Sequence, residues 1–152
     1  MRRGQQKCVS TPGQQVRHHV IGAYDWLDNT VTWIAAERKN SATFIQFLEH
    51  LLLEMYPNDV VVLVLDNASF HRSGAALAAL SLFEHRVGVF WLPPYCSTLN
   101  PIERYWRHLK DRVCVNKLFP HMAHLVAAVE RELSAQNDYD NPDRFRLSND
   151  IP

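Results

Sequence analysis

The apolar run Val60–Leu65 is the sequence feature that most constrains the fold of this chain. It is rich in β-branched side chains, contains no polar residue, and ends at Asp66. A continuous run of this kind predicts a strand buried on both faces, as in a sheet that helices cover. Sites in α/β proteins form at the carboxyl ends of such strands, so Asp66 is a candidate site residue. On position alone, a turn or cap role explains Asp66 equally well.

Strand and helix patterns alternate along the rest of the chain. Residues 18–25 and 30–36 predict a β-hairpin, and Ser41 is predicted to cap an amphipathic helix. Further helices are predicted over 73–85, 100–116 and 121–136, and a second apolar strand over 86–92. This order predicts an α/β fold with a mixed sheet flanked by helices. The predicted domains are a polar arm over 1–17, one folded domain over 18–136, and a polar, mobile tail over 137–152.

The composition fits one globular domain that does not need disulfide bonds for stability. The chain has 152 residues, is 47% hydrophobic and 21% charged, and has equal numbers of acidic and basic residues. Its apolar runs are shorter than the roughly 18 residues that a transmembrane helix requires, so no membrane partner is expected. The cysteines Cys8, Cys96 and Cys114 lie far apart, which favours a reducing compartment over a disulfide framework or a zinc knuckle.

A second acidic candidate, Glu103, lies in the first turn of the helix that begins at Asn100. Asn100 as N-cap, Pro101 at the first helical position and Glu103 at the third fit a capping box. A carboxylate at a helix N-terminus is also favoured by the helix dipole. Taken alone, Glu103 is therefore better explained as a helix cap than as a catalytic group.

Two longer segments favour a functional role for both Asp66 and Glu103 over a turn or cap role. Val62 to Arg72 reads VLVLDNASFHR, and Leu92 to Lys110 reads LPPYCSTLNPIERYWRHLK. Together they resemble the DDE transposase/integrase superfamily, specifically the insertion-sequence transposases related to mariner elements. In that family a strand ends in Asp-Asn with a His shortly after, and a later Leu-Pro-Pro-Tyr segment leads into the helix with the catalytic Glu. The sequence departs from the family at Cys96-Ser97-Thr98, where Ser-Pro and a variable residue are usual. The resemblance covers at least residues 18–134.

The resemblance implies a ribonuclease-H-like fold, a partial DDE endonuclease/integrase-like catalytic domain over 18–136, and a metal-dependent site. Asp66 is similar to the second acid of the family's catalytic triad, and Glu103 to the third. The 36 residues between them lie within the family's range. Mg²⁺ or Mn²⁺, which prefer hard carboxylate oxygens, would be held by these two acids. In phosphodiester cleavage and strand transfer, such ions activate the nucleophile and stabilise the leaving oxygen.

Other matching positions are implied to support the site. Asn67 and His71 match residues that brace the site or contact DNA, although His71 fits a cap of the next helix equally well. Tyr95 and Asn100 are implied to shape the loop that presents Glu103. Trp106 shares an apolar helix stripe and is interpreted as core packing.

Basic residues on the helix of Glu103 suggest a DNA contact. Arg104, Arg107 and Lys110 are predicted to bind phosphates next to the scissile bond, together with the nearby His108. The alternative is a solvated face that pairs with Asp111. The remaining histidines, including the pair His121 and His124, are assigned to the surface because further zinc ligands at suitable spacing are missing.

The first acid of the family's triad has no counterpart in this sequence. It lies on an opening strand between the hairpin and the strand 60–65, and no Asp or Glu precedes Asp25. Asp25 is not a substitute, since the family's second strand runs antiparallel to the strand ending at Asp66 and puts Asp25 at the far end. Two strand edges are then left open, so the chain is expected to be marginally stable or to pair with another polypeptide.

The leading hypothesis is the catalytic-core fragment of a DNA transposase, weak or inactive alone. It would act on transposon ends and target DNA with Mg²⁺ or Mn²⁺ in a prokaryotic cytoplasm, as a homodimer in the full-length enzyme and with the upstream part of the transposase. The family's N-terminal helix-turn-helix is also missing, and an expressed fragment, a decayed element and a frameshift product all fit. The alternatives are a ribonuclease-H-like nuclease and a non-catalytic DNA-binding or dimerisation module with a vestigial site.

Overall fold

The computed structural model describes residues 18–147, which contain four strands and four α-helices. In chain order these are β1 (His19–Asp25), β2 (Thr30–Ala36), α1 (Ser41–Glu49), β3 (Val61–Leu65), α2 (Gly74–Leu82), β4 (Val87–Trp91), α3 (Pro101–Cys114) and α4 (Met122–Gln136). α1 continues as a π-helical segment, His50–Met55, and a 3₁₀ turn, Ser97–Leu99, precedes α3. Each predicted strand and helix is confirmed, with ends that shift by a few residues. The predicted arm over 1–17 lies outside the described residues.

Helix α1 begins one residue earlier than its predicted cap implies. The Oδ1 atom of Asn40 accepts a hydrogen bond from the Thr43 N–H at 3.0 Å, so Asn40 is the N-cap and Ser41 is the first helical residue. Asn and Ser are comparably good caps, and sequence alone does not separate neighbouring candidates of this kind.

The strands form two separate pairs. β1 and β2 are antiparallel, with His19 opposite Ala36, while β3 and β4 are parallel, with Val61 opposite Val87. The α/β class and the mixed strand directions are confirmed. Within residues 18–147, however, hydrogen bonds join the strands into two small sheets and not into one.

Helices cover the two sheets unequally. The first core lies under α1 and α2 and contains Ile21, Phe44, Phe47, Leu48, Leu51, Leu52, Leu63, Ala76, Leu80 and Val87. The second core lies between the hairpin and helices α3 and α4, and contains Tyr24, Val31, Tyr105, Leu109, Val113, Ala128 and Leu133. Both sheets therefore contribute to the first core, but only the hairpin contributes to the second. We call β1, β2, α3 and α4 the hairpin half, and β3, β4 and α2 the parallel half.

The prediction that the run 60–65 is buried on both faces is wrong. Leu63 is buried in the first core, but the side chain of its neighbour Val62 is 64% exposed, and Phe90 on β4 is 59% exposed. Helices α3 and α4 pack against the hairpin and leave this second face of the β3–β4 sheet uncovered. The apolar run shows that β3 suits burial on both sides, but it does not determine which sheet the helices cover.

Residues 137–147 pack against the hairpin, in contrast to the predicted mobile tail. The Asn137 side chain accepts a hydrogen bond from the Val31 N–H and donates one to the Val31 carbonyl, both at 2.8 Å. The Phe145 ring lies 5.8 Å from that of Tyr24 and 5.9 Å from that of Tyr105. These polar residues satisfy the outer edge of β2, a role that composition does not reveal.

Candidate active site

Asp66 follows β3, and one of its carboxylate oxygens is held in place. Oδ1 accepts a hydrogen bond from the Ala68 N–H at 3.0 Å and lies 2.8 Å from Nδ1 of His71. Asp66 therefore does stabilise the turn after β3, as considered above, but only through Oδ1. The side chain is 32% exposed, and Oδ2 has no hydrogen-bond partner within residues 18–147. That oxygen remains open to a ligand.

His71 orients the Asp66 carboxylate. Its ring lies 4.5 Å from the ring of Phe44 and 4.2 Å from that of Phe70, and its side chain is 14% exposed. Burial lowers the pKa of His71, while the negative charge of Asp66 acts in the opposite direction. With a carboxylate as the acceptor, Nδ1 carries the proton in the neutral ring. Helix α2 is capped by the Ser73 hydroxyl, so the alternative role of His71 as a cap does not apply.

Asn100 joins the start of α3 to the end of β3. Its Oδ1 accepts a hydrogen bond from the Ile102 N–H at 3.4 Å, and its Nδ2 donates one to the Val64 carbonyl at 3.5 Å. Its own N–H donates to the Ser97 carbonyl at 3.0 Å. The capping box with Glu103 is therefore incomplete, since the Asn100 N–H is used elsewhere. The exposed Glu103 carboxylate has no hydrogen-bond partner in the described part of the chain.

The fold brings the two acids to one cavity. Asp66 and Glu103 both line an open cavity of about 170 Å³ between β1, β3 and α3, and Lys39, His71 and Trp106 also line it. Within residues 18–147, no group of three or more Asp, Glu, His or Cys side chains is placed to hold a metal ion. The site therefore offers two carboxylates.

These two carboxylates suit one hydrated Mg²⁺ or Mn²⁺. Mg²⁺ is usually held by one or two protein carboxylates, with waters and substrate phosphates completing its octahedral shell. Oδ2 of Asp66 and the free carboxylate of Glu103 are hard oxygen donors of this type. A second ion would need further ligands.

Asp25 lies at the opposite end of β3 from Asp66, as predicted. Its Oδ2 accepts a hydrogen bond from the Tyr56 hydroxyl at 3.0 Å, and its Oδ1 accepts one from the Leu27 N–H at 2.9 Å. Tyr56 precedes β3, so this contact lies at the amino end of the strand. Burial and the nearby Asp25 charge raise the pKa of Tyr56 to about 12. Asp25 is therefore engaged in the hairpin turn and does not itself line the cavity.

A basic groove adjoins the cavity on the surface of α3. Arg104, Arg107 and Lys110 line a depression of about 380 Å³ together with Thr98, Glu103 and Trp106. None of these three cations forms a salt bridge with a carboxylate of residues 18–147. The predicted alternative, a face paired with Asp111, is therefore not seen there.

His108 does not share the basic groove. Its ring lies 5.2 Å from the Phe145 ring, on the side of α3 that faces the second core, and burial lowers its pKa. The prediction that His108 lies beside Arg104 and Arg107 is wrong in this respect. Helical spacing puts His108 between the face of the basic groove and the face of the second core. Its contact with Phe145 places it on the second-core side.

The other predicted supporting residues lie near the site in different ways. Asn67 donates a hydrogen bond to the Leu92 carbonyl and so ties the ends of β3 and β4 together. Tyr95 is fully exposed and has a left-handed backbone, with φ of 63°, in the loop before α3. Trp106 is partly buried, and its ring packs against Gly22 on β1, consistent with its predicted packing role.

The sequence did not identify two residues, one at the cavity and one in the second core. Lys39 lines the cavity with its Nζ 5.2 Å from the centre of the Phe70 ring, and it precedes α1 without a recognisable motif. Tyr105 is 1% exposed in the second core. Its spacing of four residues from Leu109 and eight from Val113 was a signal that could have identified it.

The surface position predicted for His121 and His124 is confirmed. Cys96 and Cys114 are free, and Cys8 lies outside the described residues. His121 and His124 are exposed, with ring centres 5.5 Å apart. The helices found in residues 18–147 are too short or too polar to cross a membrane.

Comparison with known proteins gives two matches. The family model described as DDE superfamily endonuclease matches residues 1–126, which include Asp66 and Glu103. The insertion element IS630 uncharacterized 39 kDa protein of Shigella sonnei is 31% identical over 127 residues. That alignment covers 84% of this chain and 37% of the Shigella protein, so the chain spans little more than a third of the length of this relative.

Proposed function

This chain belongs to the DDE superfamily endonucleases, and we propose that it is the catalytic core of a DNA transposase of insertion-sequence type. The observation that carries the proposal is the meeting of Asp66 and Glu103 at one cavity, from the end of β3 and the first turn of α3. Neither carboxylate is consumed by a salt bridge to Lys or Arg in residues 18–147. Two unpaired carboxylates at one cavity are the kind of oxygen ligands that a divalent metal ion for phosphodiester chemistry uses.

Each residue of the site has a distinct role in this proposal. Asp66 and Glu103 would hold Mg²⁺ or Mn²⁺, and the contact of His71 with Oδ1 of Asp66 would leave Oδ2 for the ion. When bound, the ion supplies an activated water and neutralises charge on the phosphate. Asn100 positions α3 against β3, and so keeps Glu103 near Asp66.

The basic groove supplies the DNA contact. Arg104, Arg107 and Lys110 are exposed beside Glu103, where they would bind backbone phosphates on either side of the bond to be cut. Such contacts are independent of base sequence and weaken with salt. Homodimer formation and association with an upstream part of the transposase remain predictions.

The alternative is a non-catalytic DNA-binding module with a vestigial site. One observation favours it: the described residues offer two carboxylates where the family uses three acids. The same basic groove would serve this function without a metal. The two functions therefore differ in whether Asp66 and Glu103 matter for what happens to bound DNA.

Nicking of supercoiled plasmid DNA in Mn²⁺ separates the two functions. The proposal expects slow, metal-dependent nicking by the full chain. Because Asp66 and Glu103 are proposed as metal ligands, Asp66→Asn and Glu103→Gln are each expected to lose more than the roughly 10–100-fold that loss of a supporting residue costs. Glu49→Gln is the matched control, since Glu49 is an exposed carboxylate at the end of α1 outside the cavity. Salt-dependent DNA binding with no nicking in any variant would instead favour the non-catalytic module. Equal nicking by all three variants and the wild type would contradict the catalytic role of this pair.

A further inference from the structure

Lys39 brings a positive charge to the cavity that the two candidate acids share. It is an exposed residue that lines this cavity together with Asp66 and Glu103. Lys39 forms no salt bridge with a carboxylate of residues 18–147, and residues 1–17 contain no Asp or Glu. The metal site proposed above does not use this charge.

Contacts at both ends of Lys39 fix its position. The carbonyl of Arg38 accepts a hydrogen bond from the Thr43 hydroxyl at 2.8 Å, and the Asn40 side chain accepts one from the Thr43 N–H at 3.0 Å. The backbone of Lys39 is therefore tied to the first turn of α1. At the end of the side chain, Nζ lies 5.2 Å from the centre of the Phe70 ring, in a cation–π contact. An anion that binds there meets an ammonium group already in place, which lowers the entropic cost of binding.

The Phe70 ring places the Lys39 charge on the Oδ1 side of Asp66. Phe70 lies 4.2 Å from the His71 ring, and Nδ1 of His71 lies 2.8 Å from Oδ1 of Asp66. Burial lowers the pKa of His71, and the charge of Lys39 has a smaller effect in the same direction. Lys39 is therefore close enough to act on charges at the carboxyl end of β3 without pairing with Asp66.

Lys39 and the basic groove lie on different sides of the candidate site. Helix α1, which follows Lys39, packs into the first core, whereas α3, which carries the groove, packs into the second. Glu103 lines both the cavity and the groove, but Lys39 lines only the cavity and Arg107 only the groove. A DNA strand that runs from the groove to Lys39 therefore passes Glu103 and enters the cavity of Asp66.

The charges of the cavity fit one phosphodiester group. Two carboxylates and one divalent ion balance each other, so Lys39 leaves one positive charge in excess. Two cations in one cavity repel each other unless an anion lies between them. Each phosphodiester group of DNA carries the single negative charge that this balance requires.

We propose that Lys39 binds a phosphate of the DNA backbone at the cavity, so that the backbone is held on both sides of Asp66 and Glu103. The ammonium group of Lys39 would donate a charge-assisted hydrogen bond to a non-bridging phosphate oxygen. With the second contact in the basic groove, the bond between the two contacts is positioned at the carboxylates. This inference rests on the proposed function for its DNA substrate, but the contact itself does not require cleavage.

Binding of a fluorescein-labelled duplex tests this contact with the full chain. Anisotropy gives the affinity at several NaCl concentrations and constant Mg²⁺. Since a phosphate-binding lysine adds to both affinity and salt dependence, Lys39→Gln is expected to weaken binding about three- to tenfold. It is also expected to reduce the slope of log affinity against log salt concentration by about 0.9. Lys39→Arg keeps the charge and is expected to bind within about twofold of the wild type.

Arg38→Gln is the matched control for the loss of one positive charge. Arg38 is the neighbouring exposed cation, but it lines a shallow depression beside α1 and not the cavity. Its loss is expected to change the affinity by less than about twofold and to leave the salt slope unchanged. Equal weakening by Arg38→Gln and Lys39→Gln, or an unchanged slope in Lys39→Gln, would overturn the proposal.

Plasmid nicking separates this contact from the proposed catalysis. A strand held on one side only is positioned less well, so Lys39→Gln is expected to nick about 10–100-fold more slowly than the wild type at saturating DNA. If the wild type does not nick while Lys39→Gln still lowers the salt slope, the catalytic role fails and the phosphate contact is supported. A lowered slope with an unchanged nicking rate would overturn the placement of this phosphate beside the acids. Nicking and binding by Lys39→Gln at wild-type levels would overturn the contact and leave the proposed catalysis intact.

Discussion

Of the two halves of this protein, the parallel half has the sequence that predicts burial on both faces, but the hairpin half is the one that helices cover on both faces. The strand with the most apolar run, β3, has one face exposed, whereas the mixed sequence of β1 and β2 is covered by helices on both faces. Helices α3 and α4 follow β4 in the chain, yet they pack on the hairpin. The difference shows that connectivity decides which sheet is covered, while hydrophobic pattern decides only which sheet tolerates burial.

This asymmetry also explains how the candidate site is held. Asp66 belongs to the end of the parallel half, and Glu103 to a helix that is fixed by the hairpin half. The hydrogen bond from Asn100 to the Val64 carbonyl crosses between them. Any change that moves one half against the other is therefore expected to separate the two acids.

The largest expected contrast is between two leucine truncations, one in each half. Leu133 on α4 is fully buried in the second core, so Leu133→Ala is expected to lower the free energy of unfolding by about 2–5 kcal/mol. Leu82 on α2 is 76% exposed, and Leu82→Ala is expected to change it by less than about 0.5 kcal/mol. Urea denaturation measures both. Similar losses would mean that the parallel half is covered in solution.

A second contrast uses glycines on one strand of each half. A Cβ at Gly22 would lie 3.0 Å from the Thr32 carbonyl oxygen and from the Trp106 ring, so Gly22→Ala is expected to cost about 1–3 kcal/mol. At Gly88 the nearest atom is a Val62 methyl at 4.0 Å, and Gly88→Ala is expected to gain about 0.5–1 kcal/mol. Thermal unfolding checks the opposite signs. A loss at Gly88 would show that something already packs against that face.

A third contrast concerns two tyrosine hydroxyls in the second core. The Tyr24 hydroxyl donates to Asn29 at 2.6 Å, so Tyr24→Phe is expected to cost about 0.5–1.5 kcal/mol. The Tyr105 hydroxyl is buried without a partner among the described residues, so Tyr105→Phe is expected to raise stability by about 1 kcal/mol. A cost for Tyr105→Phe would reveal a partner for this hydroxyl.

The same tyrosine gives a pH dependence of known sign. Burial raises the pKa of Tyr105 above its usual value of about 10, so the unfolded state loses this proton first as pH rises. The stabilisation that comes from keeping the buried Tyr105 hydroxyl protonated is therefore present below about pH 10 and is lost as the pH rises above that value. Tyr105→Phe is therefore expected to flatten the alkaline fall in unfolding free energy, as measured by urea titrations at several pH values.

The smallest contrast is between two residues with left-handed backbones. Tyr95 has φ of 63° and an exposed side chain, so Tyr95→Gly is expected to gain up to about 1 kcal/mol by relieving strain. Asn29 has φ of 54°, but its Oδ1 accepts hydrogen bonds from Tyr24 and Leu147. Asn29→Gly is therefore expected to cost about 0.5–1.5 kcal/mol. Equal effects at both positions would contradict this difference, which differential scanning calorimetry can resolve.

Local patterns in the sequence were enough to predict the elements of the fold. The alternation in the hairpin, the periodicity of α1 and the cap at Asn100 all depend on neighbours in the chain. The pairing of Asp66 with Glu103 came from the resemblance of two motifs, since each acid alone was explained as well by a turn or a cap. The incomplete capping box and the hydrogen bonds to Oδ1 of Asp66 depend on contacts in the folded chain that local sequence patterns do not specify.

Contacts between distant residues were not predictable in this way. The burial of Phe145 and the bonds of Asn137 to Val31 join positions more than 100 residues apart. Because of these contacts, residues 137–147 pack on the second core and the hairpin, where the sequence predicted a mobile tail. The exposed face of β3 has the same origin, because the sequence of a strand carries no information about which helix will cover it.

The most direct test of the central claim is Mn²⁺ titration of the ¹⁵N-labelled chain, read as paramagnetic broadening. If Asp66 and Glu103 hold one ion, the amides of Ala68 and Arg104 broaden together, with the same midpoint. Glu103→Gln is then expected to weaken broadening at Ala68 as well, and Asp66→Asn at Arg104. Broadening at only one of the two amides, or broadening that neither variant changes, would contradict a shared metal site.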